Sequence, residues 1–288
     1  ALLEIDINEA LEYNPIAKVG DIITVEVTPK KFGRIAAQTA KQVVMQRIRE
    51  AERNIIYEEF AGRETDIVTG TVQRFDKKNV IIDLGKTEVI LPVTEQIPTE
   101  EYVQGTRIKV YILEVKKTTK GPQITVSRSH PGLVKRLFEL EVPEIYEGLV
   151  EIKGISREAG SRTKIAVHSK DENIDPVGAC VGPKGARVQA IVDELNGEKI
   201  DIIKWDKYPD VYISNALSPA KVLNVTLEED AKIARVTVAE NQLSLAIGKE
   251  GQNARLAARL TGWKIDIKSQ GPDNSNVNDE LRGDESAT

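Results

Sequence analysis

The sequence has very few of the residues that build disulfides and metal sites. Its 288 residues include one cysteine, Cys180, and two histidines, His130 and His168. A single cysteine cannot form an intramolecular disulfide, and this usage is typical of proteins in a reducing cytoplasm. Metal sites need clustered His, Cys and carboxylate ligands, and neither histidine belongs to such a cluster. We therefore expect no metal, no cofactor and a cytoplasmic location, with Cys180 as a small buried side chain on a helix.

Long apolar runs and catalytic signatures are also missing. The chain has no stretch of about 18 apolar residues, which excludes a membrane-spanning helix, and no signal-peptide pattern is visible at its start. The nucleophile elbow, the P-loop and the dinucleotide fingerprint do not occur. We therefore expect a protein that is not an enzyme and has no membrane partner. The net charge of −5 argues against an indiscriminate duplex-DNA binder, since such proteins are usually basic.

What the chain does contain is one pattern that occurs twice near its C-terminal end. The first copy reads Gly-Pro-Lys-Gly at 182–185 and Lys-Ile-Asp-Ile at 199–202, and the second reads Gly-Lys-Glu-Gly at 248–251 and Lys-Ile-Asp-Ile at 264–267. A helical pattern lies between turn and strand in both copies. The order around each turn is predicted to be helix, strand, strand, helix, helix, strand. Such a repeat indicates two copies of one small α/β unit.

A Gly-x-x-Gly turn between two helices suits the binding of a nucleic-acid backbone. The first amides of the second helix have no partner inside the helix and carry the positive end of its dipole. A phosphate oxygen is therefore a good acceptor for them, and glycine lets the sugar-phosphate chain approach without a Cβ in the way. Two such turns, each followed by the same strand, predict tandem KH domains that each hold about four nucleotides of a single strand.

The candidate RNA-binding residues lie in the two turns and in the start of the helix that follows each turn. They are Gly182, Pro183, Lys184, Gly185 and Arg187 in the first copy, and Gly248, Lys249, Glu250, Gly251, Gln252, Asn253 and Arg255 in the second. The lysines would pair with phosphates. A glutamate beside a phosphate is unfavourable, so the glutamate of the second turn either points away or helps to reject unwanted ligands. The bases would lie over apolar neighbours, which are Val177, Val181, Val188, Leu243, Ile247 and Leu256.

Residues 64–130 read as an all-β segment. Strands are predicted at 67–75, 79–84, 88–91, 107–115 and 123–127, with turns rich in Gly, Pro and Lys between them. Five short strands of this kind favour an OB barrel. Two interpretations of its surface stay open, RNA contact or a merely solvated basic rim. The residues concerned are the aromatics Phe75, Tyr102 and Tyr111 and the basic residues Lys77, Lys78, Lys116, Lys117, Lys120 and Arg128.

The N-terminal segment is predicted to contain regular secondary structure, whereas the C-terminal segment is not. A short strand is predicted at 21–27, followed by a long helix that starts at Thr28-Pro29 and stops at Gly62. Apolar residues recur along this helix at spacings of three to five, namely Ile35, Ala40, Val44, Ile48, Ala51 and Ile55. The segment 271–288 has five acidic residues, one basic residue and almost no apolar ones, so we expect it to be disordered.

The order of these modules and several stretches resemble the bacterial NusA family of transcription elongation, termination and antitermination factors. The matching stretches are 32–42, 127–134, 139–145, 175–182 and 248–253, and the resemblance spans nearly all of residues 16–270. It implies a multidomain α+β fold with a partial N-terminal α/β domain and long linker helix, a five-stranded S1-type OB barrel and two tandem type II KH domains. The expected ranges are 1–62, 63–130, 131–207 and 208–270, followed by the acidic tail at 271–288.

The resemblance also implies partners. These are single-stranded nascent RNA, RNA polymerase bound through the N-terminal domain, and other termination or antitermination factors. It further implies that the earlier part of the N-terminal domain and the extra C-terminal domains of some relatives are absent. Two alternatives stay open, an RNA-binding scaffold without a polymerase role and the RNA-binding tail of an exoribonuclease such as polynucleotide phosphorylase. In that tail one KH domain precedes one OB barrel, which is the reverse of the order here.

Overall fold

The computed structural model describes residues 4–24, 30–119 and 121–270 and divides the chain into two compact units, Ala1–Ile55 and Ile56–Thr288. In the first unit, helix α1 (Ile7–Tyr13) begins after Asp6, whose carboxylate accepts a hydrogen bond from the Asn8 amide at 2.9 Å. Residues 21–24 have no regular structure. The rest of the predicted strand at 21–27 and the predicted helix start at 28–29 lie outside the described residues.

Helix α2 (Lys30–Ala61) is the long helix that the sequence predicts, and it ends one residue before the glycine expected to stop it. The apolar residues of its N-terminal part do not form a buried face, since Ile35 is 60% exposed and Val44 is 56% exposed. Its last turns behave differently, because Phe60 is 4% exposed and packs with Ile56 and Tyr57 into the core of the following domain.

The second unit begins with a closed barrel. Its strands are β1 (Ile67–Asp76), β2 (Asn79–Asp83), β3 (Glu88–Leu91), β4 (Arg107–Thr118) and β5 (Gly121–Ser127), joined in the order β1-β2-β3-β5-β4. Branched apolar side chains alternate along the strands and fill the interior, as the buried Val68, Val72, Val80 and Ile82 show. The OB-type fold expected from the sequence is confirmed, with strand bounds close to those predicted.

Two modules of the same architecture follow the barrel. The first contains α3 (Pro131–Glu141), α4 (Pro143–Tyr146), β6 (Val150–Glu158), β7 (Arg162–Ser169), α5 (Pro176–Val181), α6 (Ala186–Glu194) and β8 (Lys199–Lys204). The second contains α7 (Pro209–Ala216), β9 (Val222–Glu228), β10 (Ile233–Ala239), α8 (Glu240–Ile247), α9 (Gln252–Thr261) and β11 (Lys264–Gln270). In both sheets the central strand pairs antiparallel with the strand before it and parallel with the repeated Lys-Ile-Asp-Ile strand. The predicted tandem KH folds are confirmed.

The three domains of the second unit share apolar cores. Tyr111 of the barrel packs into the core of the first KH domain beside Phe138. Ala166 and Ile203 of the first KH domain pack into the core of the second beside Ile213. Because side chains from neighbouring domains fill the same close-packed interiors, the domains are held in a defined arrangement.

A buried arginine reinforces the joint between the barrel and the first KH domain. Arg128 is 1% exposed and pairs with Glu100 and, at 3.3 Å, with Glu194. Its guanidinium also donates to the carbonyls of Lys109 at 2.8 Å and of Glu194 at 2.9 Å. The prediction that Arg128 belongs to an exposed basic rim is therefore wrong, because its charge is enclosed by carboxylates and carbonyls at the joint.

Candidate nucleic-acid interface

The first glycine of each Gly-x-x-Gly turn ends one helix and packs against the next. Gly182 has φ/ψ of 74°/175° and Gly248 has 77°/171°, a combination that L side chains rarely adopt. In each turn its amide donates at 2.9 Å to the carbonyl four residues earlier. A Cβ on Gly182 would lie 2.6 Å from Cγ of Arg187, and one on Gly248 would lie 2.8 Å from the backbone nitrogen of Asn253. Both positions therefore require glycine.

The rest of each turn follows the same path. The third residue is left-handed in both copies, with φ/ψ of 52°/24° at Lys184 and 54°/25° at Glu250. The closing glycine has 79°/12° at Gly185 and 75°/13° at Gly251, and its amide donates to the first glycine's carbonyl at 3.1 Å in both. The two turns thus share one conformation although their middle residues differ.

The helices that follow the turns start beside exposed lysines. Helices α6 and α9 begin directly after the closing glycine, and neither has a side-chain cap on its first amides. Pro183 and Lys184 are exposed in the first turn, as are Lys249 and Glu250 in the second. A lysine next to the positive end of a helix dipole forms a site with a preference for anions. The structure therefore brings together the groups that the sequence predicts for phosphate contact.

The Arg187 side chain is engaged within the first KH domain. Its Nη1 donates to a carboxylate oxygen of Glu144 at 2.9 Å and to the Ala179 carbonyl at 2.6 Å. These bonds hold the start of α6 against α4 and α5. In this structure Arg187 supports the turn instead of extending toward a ligand.

Asn253, which occupies the same place after the second turn, is buried. It is 2% exposed, and its Nδ2 donates to the carbonyls of Leu217 at 2.9 Å and Ala246 at 3.0 Å. The prediction of RNA contact is wrong for this side chain, because it lies beneath Gly248 and joins α9 to α7 and α8. The prediction for Leu256 is wrong for a similar reason, since this residue is fully buried in the core.

The other predicted platform residues remain at the surface to different degrees. Val177, Val181 and Val188 are half-buried around the first turn, and so is Leu243 near the second. Ile247, directly before the second turn, is 38% exposed. An apolar surface for bases is thus present beside each turn.

Gln252 and Arg255 point toward the first KH domain. Nε2 of Gln252 donates to Glu158 at 2.9 Å and to Ser161 at 2.8 Å. Arg255 contacts both carboxylate oxygens of Glu158, at 2.7 and 3.1 Å, and Arg259 pairs with the same carboxylate. The hydrogen bonds from Arg255 and Gln252, together with Arg259, lower the pKa of Glu158 to about 2. Sequence reasoning missed Glu158, which carries no motif.

The barrel surface exposes fewer of the predicted aromatic and basic residues than its sequence suggests. Tyr111 is buried, and the Tyr102 hydroxyl accepts a hydrogen bond from the Ile97 amide at 2.9 Å. Phe75, by contrast, is 55% exposed. On the predicted rim, Lys116 pairs with Glu114. The remaining rim residues are Lys77 and Lys78, which are exposed, Lys117, which lies over the Tyr57 ring, and Lys120, which lies outside the described residues.

The cysteine and both histidines have structural surroundings. Cys180 is fully buried on α5, and burial raises the pKa of its thiol to about 12. Nδ1 of His130 accepts the Gly132 amide at 3.0 Å and so caps α3, and its ring stacks on Tyr111. His168 contacts Trp205 edge-on. Over residues 4–24, 30–119 and 121–270, no group of three His, Cys, Asp or Glu residues could hold a metal ion. None of the helices described above is long and apolar enough to cross a membrane.

Comparison with known protein families matches four successive segments of the chain. Residues 1–54 match the NusA N-terminal domain and residues 63–127 the S1 RNA binding domain. Residues 128–205 match the NusA-like first KH domain and residues 209–275 the NusA-like second KH domain. The order of the matched S1 domain, first KH domain and second KH domain agrees with the order of the domains in the structure.

Individual relatives agree with the family match. The chain is 65% identical to the transcription termination/antitermination protein NusA of Bacillus subtilis, over 93% of this chain and 72% of the relative. It is 63% identical to the protein of that name from Halalkalibacterium halodurans, over 94% of this chain and 71% of the relative. The corresponding protein of Thermus thermophilus is 49% identical over 97% of this chain and 72% of its own length. The chain belongs to the NusA family of transcription termination/antitermination proteins.

Proposed function

We propose that this chain binds single-stranded nascent RNA through its two Gly-x-x-Gly turns and modulates transcriptional pausing, termination and antitermination. The observation that supports the RNA-binding role is the shared conformation of the two turns, each with an exposed lysine beside an uncapped helix start. A KH domain uses such a turn to clamp the backbone of about four nucleotides. We call residues 182–185 the first clamp and residues 248–251 the second clamp. Because both clamps lie on domains with shared cores, one RNA can occupy both, which raises avidity without additional contacts.

The glycines and the lysines of the turns have separate roles in this proposal. The four glycines allow the sugar-phosphate chain to approach closely. Lys184 and Lys249 form ion pairs with phosphates, although they occupy the third and the second place of their turns. Because Lys184 and Glu250 are equivalent in position, the second clamp holds one carboxylate where the first has an ammonium. We therefore expect the first clamp to contribute more electrostatic affinity than the second.

The polymerase-binding role is proposed for the N-terminal segment. Residues 1–54 match the NusA N-terminal domain, and the relatives named above are termination/antitermination proteins. We propose that this segment contacts RNA polymerase, that further termination or antitermination factors join the same complex, and that the protein acts in the cytoplasm. Its contribution is binding without catalysis.

The RNA-binding proposal is tested with the double variant Lys184→Glu/Lys249→Glu. Glutamate is compatible with the backbone at position 184, because Glu250 has the same φ/ψ in the second turn. An A-rich RNA of about 12 nucleotides would pass through both clamps. A hydrogen bond to a charged group contributes about 1.5–3 kcal/mol. Losing two of them should therefore weaken binding at least a hundredfold, since each 1.4 kcal/mol is tenfold.

The matched control is Lys41→Glu/Arg49→Glu on helix α2. Both of these residues are exposed, and the double substitution changes the net charge by the same amount. The slope of log affinity against log salt should fall by about 1.4 in the clamp variant, about 0.7 for each phosphate contact, and stay unchanged in the control. If both variants bind the RNA as tightly as the original chain, the clamps do not hold RNA.

The polymerase role has its own test. Cross-linking in a reconstituted elongation complex should join residues of the clamps to the emerging RNA, and residues of the N-terminal segment to the polymerase. Cross-links to RNA but not to polymerase would support a scaffold role without polymerase and contradict this part of the proposal.

A further inference from the structure

The turn between β6 and β7 of the first KH domain is held rigidly by its neighbours. The Arg157 side chain is 1% exposed and pairs with the fully buried Glu198 at 2.9 Å. It also donates at 2.9 Å to the carbonyls of Arg128 and His130, where the barrel joins this domain. The Gly160 amide donates to Glu198 at 2.8 Å, and the barrel lies against Gly160 closely enough to exclude a Cβ.

Glu158 stands between these two fixed residues and reaches the other KH domain. Its side chain is 21% exposed and accepts hydrogen bonds from Arg255, Gln252 and Arg259 of helix α9. The neighbouring Ser161 accepts a second bond from Gln252. One carboxylate of the first domain thus orients three side chains of the helix that follows the second clamp.

Arg255 continues this connection into the clamp itself. Its Nη1 donates to the Glu250 carbonyl at 3.1 Å, while its Nε and Nη2 contact Glu158. The second turn contains two glycines and a left-handed Glu250, a sequence with wide backbone freedom when nothing holds it. The guanidinium therefore links the left-handed Glu250 of the second turn to a rigid point on the first domain.

Among the residues that the structure describes, the first clamp has no corresponding link. Arg187 supports it from within its own domain through Glu144. The residue equivalent to Arg255 is Gln189, which donates to Asp193 on the same helix at 2.8 Å. The two clamps therefore share a conformation but are supported in different ways.

We propose that Glu158, a residue of the first KH domain, is the positioning residue for the RNA-binding turn of the second. This inference rests on the proposed function of the turns. By fixing Arg255, Glu158 holds the second turn in its binding conformation before RNA arrives, so that binding loses less conformational freedom. The first domain thereby sets the affinity of the second clamp, although it contributes no atom to that clamp.

The substitution Glu158→Gln separates this role from the one that the sequence suggests. If Arg255 contacts phosphate, releasing it from Glu158 strengthens RNA binding and steepens the salt dependence by about 0.7. If Glu158 positions the turn, the same release weakens binding and leaves the salt slope unchanged. The two roles therefore predict opposite signs for one substitution.

The experiment measures RNA affinity in two backgrounds of the full chain. In Lys184→Glu the first clamp is weakened and binding depends mainly on the second. In this background Glu158→Gln should weaken binding of the 12-nucleotide A-rich RNA roughly fivefold, the scale of ordering one or two side chains. In Lys249→Glu the second clamp is weakened and binding depends mainly on the first, so Glu158→Gln should change affinity by less than about twofold. A loss of equal size in both backgrounds would show a general effect on the domains and overturn the proposal.

Two further variants sharpen the result. Glu151→Gln is the matched control. Glu151 lies on the same strand as Glu158, also pairs with two cations and also has a pKa lowered to about 2. Its partners Lys153 and Lys170, however, belong to its own domain. It should bind RNA like the original chain. Arg255→Lys keeps the charge but loses the planar fork. It should weaken the second clamp as Glu158→Gln does, and a double variant should lose no more than either alone.

A readout without RNA keeps this inference separate from the proposed function. Glu158→Gln should accelerate amide hydrogen exchange at residues 248–252 and leave residues 182–186 unchanged. If the lysine substitutions do not affect RNA binding, the proposed function fails while the exchange result still tests the link. If exchange in the second turn is unchanged and binding rises, Arg255 is an RNA ligand and Glu158 is not a positioning residue.

Discussion

Gly248→Ala should damage the second clamp far more than Gly251→Ala, although both glycines have φ near +75°. At Gly248 the ψ of 171° adds strain of about 1–3 kcal/mol for any residue with a Cβ. That Cβ would also lie 2.8 Å from both the backbone nitrogen and the Cβ of Asn253. Relief requires a shift of α9, and overpacking of this kind costs about 1–3 kcal/mol.

Gly251 is the matched control in the same turn. Its ψ of 13° places it in the left-handed helical region, which costs an L residue about 1–2 kcal/mol. About 0.4–1 kcal/mol is recovered at both positions, because alanine has less freedom than glycine in the unfolded chain, so this gain does not contribute to the difference between the variants. A Cβ there would meet only Nη1 of Arg255, at 4.0 Å. The two variants should therefore differ by about 2 kcal/mol, which is roughly thirtyfold in the local opening equilibrium.

Native-state hydrogen exchange measures this difference directly, since it reports the free energy of local opening. Amides in the first turns of α9 should exchange about thirtyfold faster in Gly248→Ala than in Gly251→Ala. In the Lys184→Glu background, Gly248→Ala should also abolish RNA binding, whereas Gly251→Ala should retain most of it. We argue that glycine is needed at position 248 because of its close approach to Asn253, and not because of positive φ alone. Equal exchange and equal binding in the two variants would refute this argument.

Three other outcomes follow from buried and paired groups. Glu198→Ala should cost about 3–5 kcal/mol in urea unfolding because it leaves the Arg157 guanidinium buried without its counter-ion, and a cost below about 1 kcal/mol would contradict this. The pKa of Glu158 is lowered from 4.5 to about 2. The stability that its carboxylate gives to the contact between the KH domains is therefore present above pH 4.5 and is lost as the pH falls toward 2. If NMR shows this carboxyl group titrating near 4.5, the ion pairs do not form. The Cys180 thiol, buried and with its pKa raised to about 12, should resist a thiol reagent at pH 8 until denaturant is added.

The features that could be predicted from sequence are those that depend on neighbouring residues. The barrel strands follow from alternating apolar residues between turns, and their bounds agree with the structure within about three residues. The Gly-x-x-Gly turns follow from the glycines that occupy two of the three positions with positive φ in each turn. Helix α2 ends at Ala61, one residue before the glycine at which the sequence predicts its end.

The predictions that failed concern side chains whose partners lie far away in sequence. Arg128 carries a charge and was expected at the surface, yet it is buried because Glu100 and the Glu194 region meet it 28 and 66 positions away. Asn253 was expected to contact RNA because it follows the turn. It is buried because the close approach of Gly248 places it under the turn.

The amino-acid sequence by itself determined the modules, their order and the two clamps, because helices, strands and glycine turns are specified by residues a few positions apart. The tertiary structure alone decided which side chains near the two turns are exposed and which are held by bonds within the protein. Arg255 and Glu158 are 97 positions apart. Their pairing exists because the shared cores of the KH domains bring α9 onto the β6–β7 turn, a proximity that no local pattern records.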